Sequence, residues 1–195
     1  MKKSICSTFT LLIIATLFSC AVPYKVQTPA PERKQALKQS TLNAIQKMGN
    51  DGDWLVVRNV HQTDNLVSTI RNAPVSHAAI LDLSKQVVVE SNSKGVHITP
   101  LADFVGGAHR LILVSPKWAT EASRKSAIEA AYGHLGKKYD YLGLVGINMS
   151  DRYYCSELAV AVYKPYIDRN EEFSHPIAPD QLYFYGKILY DSGAI

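Results

Sequence analysis

Two segments rich in β-branched residues, Val75 to Leu81 and Gln86 to Glu90, lie either side of Leu83-Ser84. Segments this close pair antiparallel, because a parallel pair needs a crossover of a dozen residues or more. The chain therefore holds an antiparallel sheet, and its other periodicities are read around that hairpin. Trp54 to Arg58 reads as a strand after the Gly52-Asp53 turn, and His109 to Val114 and Lys187 to Tyr190 as further strands. Gly95 to Thr99 extends the sheet. Helical spacing covers Glu32 to Met48, ended by Gly49, and Ala119 to Leu135, ended by Gly136. Asp64 to Asn72 reads as a modest helix before Pro74, and Leu101 to Val105 and Asp180 to Phe184 as helical turns. Residues 136 to 154 look irregular, and Ser156 to Tyr163 is a short apolar helix with Cys155 at its start. Strands clustered between helices give an α+β class, a small antiparallel sheet or barrel packed against helices.

The N-terminus reads as an address rather than as fold material. Lys2 and Lys3 precede an apolar run, Phe9 to Phe18, too short to span a bilayer as a helix, which fits a signal peptide. The run closes on Leu17-Phe18-Ser19-Cys20, which resembles the bacterial lipobox and makes Cys20 the expected lipidation site. Residues 1–19 are then the signal, 20–32 a lipidated Cys and a proline-punctuated tether, and 33–195 one domain. Ala21 after the Cys points to the outer membrane of a bacterial envelope as the expected location. Without Lys2 and Lys3 the formal charge falls from +4 to +2, too little to argue for nucleic acid.

Of the three cysteines, Cys6 lies in the signal and Cys20 in the lipobox, so only Cys155 stays free in the folded domain. A lone thiol in an exported domain is either a buried small hydrophobe or a reactive group. A helix start can stabilise a thiolate, and Cys155 stands at one; on position alone both readings hold. His77 sits in a strand among small and apolar neighbours, where a lone His is commonly structural. A turn centred between Leu83 and Ser84 makes partner numbers sum to 167, which sets His77 opposite Glu90 on one face. A carboxylate beside an imidazole fixes its tautomer and stabilises the imidazolium. A slip of one residue would turn Glu90 to the other face.

Taken in order, Gly52-Asp53-Trp54, Val75-Ser76-His77-Ala78-Ala79-Ile80, Val89-Glu90-Ser91, Gly136-Lys137-Lys138-Tyr139-Asp140 and Asp151-Arg152-Tyr153-Tyr154-Cys155-Ser156-Glu157-Leu158 form a pattern, with Pro179-Asp180-Gln181-Leu182 as an imperfect late element. The set resembles the YaeF/YiiX-type permuted papain-like amidases, relatives of the NlpC cell-wall endopeptidases and of lecithin retinol acyltransferase. The resemblance implies a permuted papain-like, NlpC-like fold over roughly residues 50 to 185. It implies Cys155 as nucleophile, His77 as base, Glu90 as the polar third residue and Tyr139 as a tyrosine near the oxyanion. The Gly-Gly stretch that NlpC peptidases carry after that tyrosine is absent, which argues against their peptidoglycan specificity.

The expectation is a thiol hydrolase that cleaves an amide or ester through an acyl-thioester and requires no metal or cofactor. Its substrate would be a peptide, a cell-wall stem peptide or a lipid-derived acyl compound, reached by a monomer held on the membrane through its anchor. The alternative is a binding module of the same fold that takes an amino-acid or lipid head group without turnover. His61, His97, His109, His134 and His175 lack metal-site spacing and read as exposed or structural. The absence of Gly-x-Ser-x-Gly disfavours a serine hydrolase.

Overall fold

The computed structural model describes residues 31–59, 74–147 and 149–193. The signal, Cys20, most of the tether and the Asp64 to Asn72 helix lie outside the described residues. Helix α1 spans Pro31–Met48 and so begins inside the stretch read as tether, with Pro31 at its first position, where the missing N–H costs no hydrogen bond. Strands β1 (Trp54–Asn59), β2 (His77–Asp82), β3 (Val87–Asn92) and β4 (Gly95–Pro100) precede α2 (Leu101–Gly107) and β5 (Ala108–Pro116). Then come α3 (Glu121–Gly133), the two-residue strands β6 (Lys138–Tyr139) and β7 (Arg152–Tyr153), α4 (Cys155–Ala161) and β8 (Gly186–Asp191).

The sheet has six strands in the order β4-β3-β2-β1-β5-β8, every neighbouring pair antiparallel, which is the α+β architecture expected. Both faces are covered. Trp54, Val56, Ala78, Ile80, Ile112 and Val114 turn to a core shared with Ala127 and Ala131 of α3 and Leu158 of α4. Leu55, Val57, Ala79, Leu81, Leu111 and Leu113 turn to a second core with Ile45 of α1 and Leu101 and Phe104 of α2. A strand buried on both faces reads as a continuous apolar run, which is why β1 is Trp-Leu-Val-Val with no polar alternation.

The β2–β3 connection differs from the two-residue turn expected. Residues 83–86 all lie in the turn, Gln86 takes a positive φ of 57°, and Asp82 pairs with Val87. Partner numbers sum to 169 rather than 167, so Glu90 pairs with Ala79 and lies diagonal to His77, not opposite it. The shift is even, so the two side chains still share a face. Helix α3 is shorter than its pattern, because Thr120 caps it: its hydroxyl accepts from Ser123 N–H at 3.2 Å. The irregular stretch contains a parallel pair, Tyr139 beside Tyr153.

Gly52-Asp53 is a structural corner. Gly52 holds a φ of +83°, and a Cβ there would stand 2.5 Å from the Tyr163 hydroxyl, which donates to Gly52 O at 3.0 Å. Buried Asp53 accepts from Arg124 Nη1 at 2.6 Å, and Arg124 Nη2 reaches Ser115 Oγ at 2.7 Å, so one guanidinium ties α3 to the start of β1 and the end of β5.

Gly95 opens β4 with a φ of +84°, and a Cβ there would meet Lys137 O at 2.3 Å. Gly95→Ala is expected to lose roughly 1–3 kcal/mol from the left-handed backbone alone, with the clash added to it. Urea unfolding checks this: Gly107→Ala, where nothing lies within 4 Å of an added Cβ, should leave the midpoint close to wild type.

Candidate functional site

The site forms where β2 begins. His77 is the first residue of β2 and is buried, its ring 6.0 Å from Phe104. Its face is that of Val57, Leu81 and Glu90, whereas Cys155 packs on the other face with Ala78 and Ile80. Thiol and imidazole therefore meet around the end of the strand. Nε2 of His77 lies 2.6 Å from Oε2 of Glu90, and since a carboxylate only accepts, Nε2 carries the hydrogen. Nδ1 is the nitrogen left to face Cys155, and thiol and imidazole each shift the other's proton affinity.

Glu90 is held from several sides. Thr99 Oγ1 donates to Oε1 at 2.5 Å, Asn92 Nδ2 donates to Oε2 at 3.4 Å, and His97 Nε2 stands 3.5 Å from Oε1. His97 Nδ1 faces the Gly95 carbonyl at 2.9 Å. The sequence reading placed His97 among residues without a site; the structure puts it directly opposite Glu90 across β3 and β4. The signal was the Asn92-Ser93-Lys94-Gly95 turn: closing it with Asn92 opposite Gly95 makes pairs sum to 187 and sets Glu90 against His97. Thr99 follows from the same register, and Asn92 from its place two residues along β3 from Glu90, on the same face.

Backbone anchors fix the start of α4. Ser91, on the face of β3 opposite Glu90, donates to Tyr153 O at 2.6 Å. Ser156 Oγ donates to Ile177 O at 2.8 Å, and the Tyr154 hydroxyl accepts from Ile177 N–H at 3.0 Å. Tyr154 N–H donates to Glu157 at 3.2 Å, and burial together with nearby Asp140 lifts the Glu157 carboxyl to about 7. Tyr139 is half-buried on β6 beside Tyr153, its ring edge-on to Tyr141 at 4.8 Å.

Burial, hydrogen bonding and charge compete at each ionisable member. Burial pushes His77 down, but the bonds to Cys155 and Glu90 and their charges carry it up to about 10. Burial pushes Glu90 up, yet the His77 bond and charge, helped by Thr99, hold it at about 2. Burial opposes ionisation of Cys155, and the bond and charge of His77 with the N–H groups of Ala78 and Ser156 outweigh it, so the thiol falls below its ordinary value. The arrangement favours thiolate, imidazolium and carboxylate in a row.

Residues 49–175 match the family described as permuted papain-like amidase enzyme, YaeF/YiiX, C92 family. A search of curated proteins returns no match. Among solved structures, the metalloprotein YiiX from Escherichia coli O157:H7 is similar, with a TM-score of 0.51 and 21% identity over 60% of this chain and 66% of that one. The match spans just under two thirds of that relative's length and speaks for the fold. Among the described residues no group of three or more His, Cys, Asp or Glu side chains is disposed to hold a metal ion. Matched over most of its length, the chain belongs to the YaeF/YiiX family of permuted papain-like amidases.

Proposed function

We propose that the chain is a thiol amidase in which Cys155 attacks the carbonyl, His77 moves the proton and Glu90 orients His77. The observation that carries this reading is Glu90 at 2.6 Å on Nε2 of a buried imidazole whose proton affinity both Cys155 and Glu90 raise. The thiolate adds to an amide carbonyl, and the imidazolium gives its proton to the departing amine as the C–N bond breaks. Water, deprotonated by the neutral imidazole, then hydrolyses the thioester and restores the thiol. Thr99 and His97 act on Glu90 rather than on substrate, and Tyr139, beside the strand that leads into Cys155, supports no assigned step. Lipidation at Cys20 would keep the enzyme on the outer membrane, with acyl-amide or peptide substrates at hand.

The test is alkylation of Cys155 by iodoacetamide at pH 7, read at the peptide level so that Cys6 and Cys20 are scored apart. An activated thiolate is expected to react roughly tenfold or more faster than in His77→Ala, because a free thiol is only a few per cent ionised at that pH. Equal rates in wild type and His77→Ala would overturn the catalytic reading and leave the binding module. Cys155→Ser is expected to abolish hydrolysis of an activated amide or ester.

The pair's ionisation also sets a stability profile. His77 is raised from 6.5 to about 10, so its contribution is full below pH 6.5 and fades as pH climbs toward 10. Glu90 is lowered from 4.5 to about 2, so its contribution is full above pH 4.5 and is lost as pH falls toward 2. Glu90→Gln should therefore show its widest stability deficit against wild type between about pH 4.5 and 6.5, narrowing on both sides. Urea midpoints across pH measure the gap, and NMR titration of the His77 ring should move to lower pH in the variant.

A further inference from the structure

We propose that the loop 141–147, between β6 and β7, is a membrane-docking surface that seats the site on an anionic lipid bilayer. Four of its seven residues expose large apolar side chains: Tyr141 at 58%, Leu142 at 48%, Val145 at 72% and Ile147 at 57%. The loop is built to present them. Asp140 is wholly buried, and its carboxylate accepts the N–H of Gly143 at 2.9 Å and of Met149 at 3.0 Å, closing both ends on one anchor. Gly143 leaves no room for a side chain, since a Cβ would stand 2.8 Å from the Tyr154 ring, and Gly146 turns the chain at a φ of +88°. A chain that pins a loop this firmly while turning its apolar residues outward is not hiding them; such patches mark contact surfaces.

Charge at the base of the loop selects the partner. Lys138 and Arg152 are register partners on β6 and β7, and like charges set side by side repel unless an anion lies against them. The Arg152 side chain is about one third exposed, and Asp151 stands 3.7 Å from its Nε. Lys137 adds a third cation, over the Tyr153 ring. Apolar side chains with a tyrosine where the loop leaves β6 and cations behind match the layers of an anionic leaflet, acyl chains first and phosphates second. Residues 21 to 30 span at most about 35 Å, so an anchor at Cys20 would hold the domain beside such a surface. The loop is tied to Tyr153 and Tyr154, directly ahead of Cys155, so docking would bring the thiol to the lipid–water boundary.

The test uses the full chain in vesicles of phosphatidylcholine and phosphatidylglycerol with brominated acyl chains, with tryptophan placed by Val145→Trp or, on a 3₁₀ turn against β1, β5 and β8 at the other end of the sheet, by Phe184→Trp. Native Trp54 is buried and Trp118 half-buried, so the wild-type signal of both is subtracted as background. Val145→Trp is expected to show blue-shifted emission quenched several-fold more than Phe184→Trp, and more strongly with phosphatidylglycerol than with phosphatidylcholine alone. Equal quenching at both positions, or none at 145, overturns the proposal. So does a blue shift at 145 without vesicles and without quenching, which would mean that protein covers the loop. Turnover plays no part in the readout, so failure here is separate from failure of the amidase reading.

Discussion

A carboxylate withdrawn from water cannot keep its charge unless something replaces the solvent, and Glu90 meets that condition with donors from three residues on three strands. The rest of the site depends on this. The charge of Glu90 raises the proton affinity of His77, and a protonated His77 in turn allows a thiolate to exist in a buried position. Each ionised group is tolerable only because of the next, so the row behaves as one unit. The β2–β3–β4 meander is its scaffold, since Glu90 stands on the middle strand and takes partners from both sides.

The sheet's double burial explains why so little polar alternation is seen in β1 and β2, and why the polar residues that remain in the interior stand out. Asp53, Asp82, Glu90 and Asp140 are buried, and each has a local employer. Asp53 binds Arg124 at the corner before β1. Asp82 accepts from Ser84, Lys85 and the Tyr132 hydroxyl at the turn that sets the register. Asp140 closes the loop ahead of Cys155. Three of the four therefore serve backbone geometry, and Glu90 alone faces an imidazole.

Most strands and the main helices were legible from periodicity, because apolar runs, Gly stops and Pro breaks act locally. The register of β2 and β3 was legible only in its parity. A four-residue turn with positive φ at Gln86 has no Gly to announce it, so the pairing moved by two while the shared face survived. His77, Glu90 and Cys155 could be named from the ordered motifs, but their meeting around a strand end depends on where α4 docks, which no local pattern encodes. His97 and Thr99 escaped because a histidine or threonine in an exposed-looking strand carries no signal until its register partner is known. The tie between Asp140 and the 141–147 loop was hidden for a similar reason: it is a buried acid satisfied by backbone N–H groups, and sequence does not show backbone donors.

The order of the motifs along the chain also has a consequence for synthesis. His77 and Glu90 are 13 residues apart on one hairpin, whereas Cys155 follows only after β5 and α3. Until α4 docks against the start of β2, the thiol has neither imidazolium nor the Ala78 N–H beside it and keeps the sluggish chemistry of an ordinary cysteine. On the proposed reading, reactivity would be a product of completed folding: a chain still in transit would carry a quiet thiol, and only the finished domain a sharp one.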